Sequence, residues 1–407
     1  MKARYMIVAS LVVLALVVVG CVKPAPAPPA PEVTPEVTPE VEEFVMPEMI
    51  YATCYGVGSN NHLILTVYAD AMMKKYDVNV RVLPGGTGVS RGIPLRSGDV
   101  HIWGEGGAHF TAYEGIFEFG DSCWGPQDLR AVWVTYPTGA NAMATPCDAN
   151  IKTPADLKGK KVPWVTANPG QQLINTGYLA FGGLTWDDVI KVEFPDWQPC
   201  IAGMMEGKVH CAPMTTHSPI AYEMAGSPRG LCWPRFDPDD KEAWARMAKF
   251  NPYTVPAKVS DGAGMELGKV YEVSNTGVGL SMGVYASESE EFVYNLAKML
   301  NESYDLYKDQ PVMENAGPEI FMAAPGGYLP WHEGTVRYLK ELGYWTAEWE
   351  AWQNAFLERG KVLRATWEVA LEEAEAKKIT TGAWPDFWMG KRAEALKKAG
   401  LPVYTEF

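Results

Sequence analysis

Glycines and small polar residues open three predicted helices, each directly after a predicted strand. The segments are Gly58-Ser59-Asn60, Gly86-Thr87-Gly88 and Asn168-Pro169-Gly170-Gln171-Gln172. Free backbone amides at a helix N-terminus attract anions, and open α/β sheets bind ligands at the carboxyl ends of their strands. Together, the three openings predict a cleft that presents amides and hydroxyls to a small anionic or polar molecule.

The sequence offers little that would support catalysis. It holds no HExxH and no GxxxxGK[ST], and its six histidines show no metal-ligand spacing. Gly56-Val57-Gly58 starts like a dinucleotide-binding fingerprint, but Asn61 stands where the third glycine of that motif belongs. In Thr215-Thr216-His217-Ser218 a hydrogen-bonding loop is a better interpretation than a Ser–His pair. We therefore predict no catalytic residues, no metal and no cofactor.

Two charged residues near the openings leave alternatives open. Glu105 follows a predicted strand over residues 100–103 and either contacts a ligand amine or is a solvated loop acid. Arg91 either pairs with a ligand carboxylate or faces solvent, and the second alternative is slightly favoured. The residues predicted to contact the ligand are Gly58, Ser59, Asn60, Thr87, Ser90, Glu105, Tyr136, Gly170, Gln171, Gln172, Thr215 and His217.

The elements that must position these residues alternate between strand and helix. Residues 50–54, 78–82 and 100–103 are predicted strands, and helical spacing of apolar residues lies between the first two. The alternation restarts at Thr153. It is typical of α/β folds with a parallel sheet, so two successive α/β lobes are predicted.

The predicted domain organisation follows from this repetition. Residues 49–145 with about 275–333 are expected to form lobe I, and residues 146–274 lobe II, with residues 280–285 as a strand that crosses back. Residues 334–407 are predicted to be a helical extension rich in tryptophan. Its Trp345, Trp349 and Trp352 have i, i+4, i+7 spacing, which favours packing against the core over a ligand platform.

The N-terminus predicts export and a lipid anchor. Lys2 and Arg4 precede an apolar run, and Val18-Val19-Gly20-Cys21 is typical of a lipoprotein cleavage site. Residues 1–20 are thus predicted to be a signal peptide and Cys21 the lipidated residue, whose acyl chains hold the protein at a membrane. Residues 21–48, rich in Pro and Glu, are a predicted extended tether. We expect an extracytoplasmic, membrane-anchored protein.

The net charge bears on the possible partners, and the cysteine count bears on possible disulfide bonds. The chain has 35 Lys and Arg against 49 Asp and Glu, a net charge of −14, which argues against a nucleic-acid partner. Six of the seven cysteines remain after lipidation of Cys21. In an exported protein they allow up to three disulfides, with free buried thiols as the alternative.

Several segments, in the same order, resemble the TAXI-type solute-binding proteins of TRAP transporters. The stretch Val80 to Asp99 is similar to the family's "T-x-G-S … L-x-x-G-x-x-D" pattern, and "IKTPADLKGKKV" at residues 151–162 is a close match to "I-x-S-x-x-D-L-K-G-K-x-V". "GLTWDDV" at 183–189 and "MEGKVHCA" at 205–212 follow the family's next two stretches. The resemblance covers about residues 50–330.

This resemblance implies a type II periplasmic-binding-protein fold, an α/β architecture in which two lobes enclose a ligand cleft. It implies a receptor that closes on a small carboxylate or amino acid and docks on membrane permease subunits driven by an ion gradient. Ser59-Asn60-Asn61-His62 and Asn168–Gln172 depart from the family's patterns at the pocket, so its ligands cannot be carried over. A binding protein of an ABC importer, a ligand sensor for a membrane kinase and an exported enzyme remain as alternatives.

Overall fold

A computed structural model describes residues 44–136, 139–166, 168–252, 254–276, 279–310, 313, 316–322 and 328–404. The predicted signal peptide, Cys21 and most of the predicted tether lie outside these residues. None of the helices within them combines the length and hydropathy needed to cross a bilayer.

The described residues form eleven strands and thirteen α-helices. The strands are β1 (Met49–Cys54), β2 (Asn79–Pro84), β3 (Ile102–Glu105), β4 (Leu129–Thr135), β5 (Asn141–Ala144), β6 (Lys161–Val165), β7 (Ile190–Phe194), β8 (Ala212–Thr215), β9 (Val255–Val259), β10 (Tyr271–Asn275) and β11 (Leu280–Tyr285). The helices are α1 (Asn60–Tyr76), α2 (Gly88–Ser97), α3 (Gly107–Glu114), α4 (Pro169–Phe181), α5 (Trp197–Met205), α6 (Pro219–Ala225), α7 (Lys241–Ala248), α8 (Glu290–Glu302), α9 (Tyr304–Tyr307), α10 (Pro318–Phe321), α11 (Glu333–Glu341), α12 (Ala347–Lys377) and α13 (Trp384–Lys398).

The main sheet has five strands in the order β2-β1-β3-β11-β4. β1 is parallel to β2 and β3, whereas β11 is antiparallel to both of its neighbours. β11 returns to this sheet after the chain has formed β5 to β10 elsewhere. A sheet of this order, with one late antiparallel strand inserted between β3 and β4, is the type II periplasmic-binding-protein fold, and the predicted fold class is confirmed.

The remaining strands form three small sheets, parallel β6-β7 and antiparallel β5-β8 and β9-β10. The hydrophobic cores are also separate. One is built from residues between Ile50 and Val134 and between Leu280 and Trp349, and two others from residues between Ala140 and Val273. We keep lobe I and lobe II as names for the predicted residue ranges, whose boundaries stay a prediction.

Side-chain caps start the helices at the predicted openings. Ser59 Oγ accepts from His62 N at 3.2 Å before α1, and Asn168 Oδ1 accepts from Gln171 N at 3.2 Å before α4. Such caps satisfy amides that the first helical turn leaves unpaired. They place the polar residues of both openings at strand-to-helix turns.

The C-terminal helices pack on lobe I around a buried ion triad. Glu114, at the end of α3, is completely buried and pairs with Arg359 of α12 and Arg392 of α13. The Arg359 bonds measure 2.5 and 2.8 Å. Trp349 joins the core of lobe I, and Trp345 and Trp352 pack against that core, as the helical spacing predicted.

One disulfide, Cys147–Cys232, is present among the described cysteines. Cys54, Cys200 and Cys211 are free and buried, whereas Cys123 is free and exposed. Both alternatives predicted from the sequence, disulfide bonds and free buried thiols, thus occur, each for different cysteines.

Candidate ligand-binding site

A cavity of about 110 Å³ lies where strand-to-helix turns of the two lobes face each other. Five of these turns contribute, those that precede α1, α3, α4, α5 and α6. At roughly 10–15 Å³ for each water-sized position, the cavity holds on the order of ten non-hydrogen atoms. The residues that line it are Tyr55, Ser59, Asn60, Asn61, Gly106, Gly107, Phe110, Asn141, Asn168, Gly170, Gln171, Leu173, Ile174, Trp197, Pro213, Met214, Thr215, Ser218, Phe250, Asn251, Pro252, Thr276, Gly279 and Tyr328.

No charged side chain is among these lining residues. The local field therefore comes from backbone dipoles, and helix N-termini carry a partial positive charge. An arrangement of this kind suits a polar ligand or one with a single negative charge, held by amides and hydroxyls.

Asn60 stands out among the residues that line the cavity. It is 5% exposed, and neither Oδ1 nor Nδ2 has a hydrogen-bond partner. Gln171 Oε1 and Asn141 Oδ1, in the same lining, are also buried without a partner. Because buried polar atoms are nearly always paired, these atoms are the candidate hydrogen-bonding positions for a ligand.

Beneath the cavity lies an ion pair. Arg91 and Glu105 are both completely buried, with Arg91 Nη2 2.6 Å and Nε 2.7 Å from Glu105 Oε2. Glu105 Oε1 accepts from Gly106 N at 2.7 Å, and the Arg91 guanidinium lies 3.7 Å from the centre of the Tyr55 ring. The pair thus fixes two parts of the cavity wall, Tyr55 and the turn before α3.

Both charged residues therefore differ from their sequence-based interpretation. Arg91 does not face solvent, and Glu105 is not a solvated loop acid. Neither lines the cavity, and each forms an ion pair with the other.

The two lobes touch at the edge of the cavity. A side-chain carbon added to Gly107 would lie 3.8 Å from Gly170 Cα, so the backbones of α3 and α4 meet at these two glycines. Gln198 Nε2 donates to Val57 O at 3.0 Å across the cleft. Such contacts are typical of a closed arrangement of two lobes.

Two hydrogen bonds join the start of β5 to the end of β10 beside the cavity. Asn141 N donates to Asn275 Oδ1 and Thr276 N donates to Asn141 O, each at 3.1 Å. Both Asn141 and Thr276 line the cavity. This junction between the two strands is thus also part of the candidate site.

Five of the twelve residues predicted to contact a ligand line the cavity, namely Ser59, Asn60, Gly170, Gln171 and Thr215. The other seven are Gly58, Thr87, Ser90, Glu105, Tyr136, Gln172 and His217. Gln172 Nε2 donates to Val165 O at 2.8 Å, and the His217 ring lies between Thr216 Oγ1 and Asp261 Oδ2, at 3.0 and 3.2 Å. Gly58 has a positive φ of 89° in the turn before α1, and Tyr136 follows β4.

Thr87 and Ser90 cap α2. Ser90 N donates to Thr87 Oγ1 and Thr87 N donates to Ser90 Oγ, both at 3.0 Å. Ser90 also stands in a GxSxG pattern over residues 88–92, which is typical of hydrolase nucleophiles on a sharp strand-to-helix turn. Here the serine lies within the first turn of α2, and its hydroxyl donates to Thr87 O at 2.9 Å. The pattern is thus used as a helix cap.

The sequence did not predict the aromatic side chains that line the cavity. Tyr55, Phe110, Trp197, Phe250 and Tyr328 come from separate parts of the chain. For Tyr55 and Trp197 a signal exists, since each follows a strand and precedes or opens a helix, as Asn168 does. Phe250 and Tyr328 have no comparable local signature.

The model of the NMT1-like family matches residues 64–343. The chain belongs to this family. The matched range begins within α1 and ends after α11, so β1 lies before it and all of α12 and α13 lie beyond it.

Three solved structures illustrate what this chain is similar to. The alkanesulfonate-binding protein SsuA from Xanthomonas axonopodis pv. citri, bound to MOPS, is 16% identical, with 79% of this chain and 96% of that chain covered and a TM-score of 0.41. The R. palustris protein Rpa4515 with adipate is 14% identical, with coverages of 75% and 96% and a TM-score of 0.42. The methionine-binding protein MetQ is 14% identical, with coverages of 66% and 96% and a TM-score of 0.39.

Proposed function

We propose that the protein is an extracytoplasmic solute-binding receptor that captures a small polar or carboxylate-bearing solute and delivers it to membrane permease subunits. The observation that supports this most is the cavity between the lobes, in which both amide atoms of Asn60, Asn141 Oδ1 and Gln171 Oε1 are buried without partners. The lining offers hydrogen bonds and aromatic contacts but no nucleophile–base pair or charged group. It is therefore suited to binding rather than turnover.

The proposed ligand is small and carries at most one negative charge. A single carboxylate suits the N-termini of α1, α3 and α4, whose preceding turns line the cavity. An amine or hydroxyl elsewhere on the ligand finds acceptors in Asn60 Oδ1 and Gln171 Oε1. A second carboxylate has no cation in the lining to balance it.

The proposed mechanism is closure of the lobes around the ligand. Residues of both lobes line the cavity, so a bound ligand makes its full set of contacts only when the lobes are together. Closure also forms the contact between Gly107 and Gly170 and the bond from Gln198 to Val57. The permease is then expected to recognise the closed state, with the receptor anchored to the membrane through Cys21.

Native mass spectrometry of the purified protein tests the binding function. One small carboxylate or amino acid per chain is the expected result, with loss of that ligand in Asn60→Leu/Gln171→Ala. Asn295→Ala, on the outer face of α8, serves as control. A ligand-free protein that also binds nothing in a thermal-shift panel of organic acids, amino acids and sulfonates would contradict the proposal.

The proposed partner is the ion-gradient-driven permease of a TRAP system, as the sequence resemblance implies. Solute uptake into vesicles that contain the permease encoded nearest to this protein tests this choice of partner. Uptake should require the receptor and a sodium or proton gradient, without ATP. Uptake that instead requires ATP would assign the receptor to an ABC importer.

A further inference from the structure

A second cavity lies where lobe I meets the C-terminal helices. It has a volume of about 530 Å³, several times that of the cleft. It is enclosed by the start of α2, the 3₁₀ turn Phe117–Gly120, the loop that follows this turn, and the start of α13. The lining residues are Val89, Ile116, Phe117, Glu118, Gly120, Asp121, Ser122, Cys123, Trp124, Thr381, Trp384, Pro385, Trp388 and Met389.

Two tryptophans form a fixed apolar wall. Trp384 and Trp388 lie one turn apart on α13, and their indole N–H groups donate to Gly120 O at 2.7 Å and Gly115 O at 2.5 Å. Trp367 supports both rings edge-on, with centroids 5.0 and 4.6 Å away. Since the polar atoms of these rings are already bonded, their remaining surface offers only apolar and π contacts.

Phe117 lines the same cavity in a strained conformation. Its φ is 55°, in the left-handed region that bulky side chains rarely adopt. Strain of this kind persists where the surroundings demand it and is often found where ligands bind. Here it places an aromatic side chain opposite α13.

The charged residues of the lining are both acidic, Glu118 and Asp121. Glu118 Oε2 is buried without a hydrogen-bond partner, and burial raises the pKa of this carboxyl to about 8. Trp124 already holds one cation, because the exposed guanidinium of Arg96 lies 4.6 Å from its ring. Aromatic faces and carboxylates together are the groups that recognise alkylammonium ions.

We propose that this cavity binds a hydrophobic organic cation, such as an alkyl or quaternary ammonium. Its apolar body would pack between Phe117 and the tryptophans of α13, with its charge beside Glu118 and Asp121. This site is separate from the cleft, and the proposal does not depend on the function proposed there.

The test compares benzyltrimethylammonium, its neutral isostere neopentylbenzene, and benzenesulfonate on the purified protein. Exposed Cys123 lies in the lining, whereas Cys54, Cys200 and Cys211 are buried, so protection of Cys123 from a maleimide reports occupancy. We expect the cation to protect about three- to thirtyfold more strongly than the isostere, and the sulfonate not at all. Equal protection by cation and isostere, or no protection at millimolar concentration, would overturn the proposal.

Variants test the roles of charge and ring. At pH 9, where the Glu118 carboxyl is ionised, Glu118→Gln should weaken binding of the cation several-fold, whereas Glu358→Gln, on the exposed surface of α12, should leave it unchanged. Phe117→Gly relieves the backbone strain while removing the ring, so it should fold normally and bind weakly. Wild-type affinity in both Glu118→Gln and Phe117→Gly would contradict the proposal even if the cation binds.

The dependence on pH supplies a further check. Glu118 shares the lining with Asp121, Glu105 and Arg91 act on its carboxyl electrostatically, Arg96 lies on Trp124, and α13 contributes no titratable group to the described lining. Because the carboxyl must lose its proton to pair with a cation, affinity should rise from pH 6 to pH 9. The rise should be absent in Glu118→Gln, and an equal rise in that variant would contradict the pairing.

The same ammonium chemistry occurs in free solutes and in choline lipid headgroups. Phosphatidylcholine vesicles, compared with phosphatidylglycerol vesicles, distinguish the two sources. Protection of Cys123 by the former identifies a headgroup site, and protection only by benzyltrimethylammonium identifies a site for a free solute.

Discussion

Asn60 and Asn175 are both buried asparagines, but their amide groups are bonded differently. It is 5% exposed with both amide atoms unpartnered, whereas Asn175, also buried, donates through Nδ2 to Pro163 O at 3.0 Å. A buried polar group without a partner costs about 1–3 kcal/mol. If a solute binds at Asn60 as proposed, it relieves this cost.

Replacement of Asn60 by leucine should separate stability from binding. We expect the free energy of unfolding of the ligand-free protein to rise by about 1 kcal/mol, while the affinity for the ligand falls at least about tenfold. The matched control Asn175→Leu should instead lower stability, because it leaves Pro163 O unpaired. Denaturant unfolding and calorimetric titration measure the two effects, and destabilisation by Asn60→Leu would argue that the amide is structural.

The pair Arg91–Glu105 makes a different prediction. Glu105→Gln leaves the buried Arg91 without its counter-charge and should cost about 3–5 kcal/mol, since breaking a buried pair exposes an uncompensated charge. The double variant Arg91→Met/Glu105→Gln should cost much less than the sum of the single changes. Denaturant unfolding of Glu105→Gln, Arg91→Met and the double variant completes the cycle. If the free-energy costs of the single changes simply add, the two charges do not depend on each other.

At the scale of elements, α13 is held to lobe I by a carboxylate shared between two guanidinium groups. The adjacent Arg392 and Arg359 hold the pKa of Glu114 below its ordinary value despite complete burial. A lowered folded-state pKa contributes stability above the unfolded pKa, and this stability is lost as the pH falls through the folded value. Acid should therefore loosen this attachment.

Glu114→Gln should release α13 in the same way at neutral pH. Two buried arginines would then lack a carboxylate, at a cost of about 3–5 kcal/mol, and amide exchange in α13 should accelerate. Glu358→Gln, which removes the exposed partner of Lys361, should change stability by at most about 1 kcal/mol. Hydrogen exchange followed by mass spectrometry locates the effect; unchanged protection of α13 in Glu114→Gln would refute the anchoring role.

The elements themselves were largely predictable, because their signals are local. The cap Asn168 followed by Pro169 predicted the start of α4, and residues 280–285 form the predicted returning strand. The site was only partly predictable. Arg91 reaches Glu105 across 14 positions of sequence, and Tyr328 reaches the cleft from far along the chain. No local sequence pattern predicts such long-range contacts, because they follow from how whole helices and strands pack.

At the scale of the whole molecule, the proposed closure of the lobes brings Gly107 and Gly170 together. A side-chain carbon on Gly170 would lie 3.7 Å from the carbonyl carbon of Gly107 and 3.5 Å from Asn168 Oδ1, both ordinary contact distances. Gly170→Ala should thus be tolerated, whereas a larger side chain must keep α3 and α4 apart.

Gly170→Trp should consequently hold the lobes open. We expect a larger radius of gyration in the presence of ligand and an affinity lower by about tenfold or more, because lobe II residues can no longer contact a ligand bound on lobe I. Gly390→Trp, at a position on α13 with open space around it, controls for the added indole. Small-angle scattering with and without ligand distinguishes the cases, and a Gly170→Trp protein that still contracts on binding would show that closure does not bring α3 and α4 together.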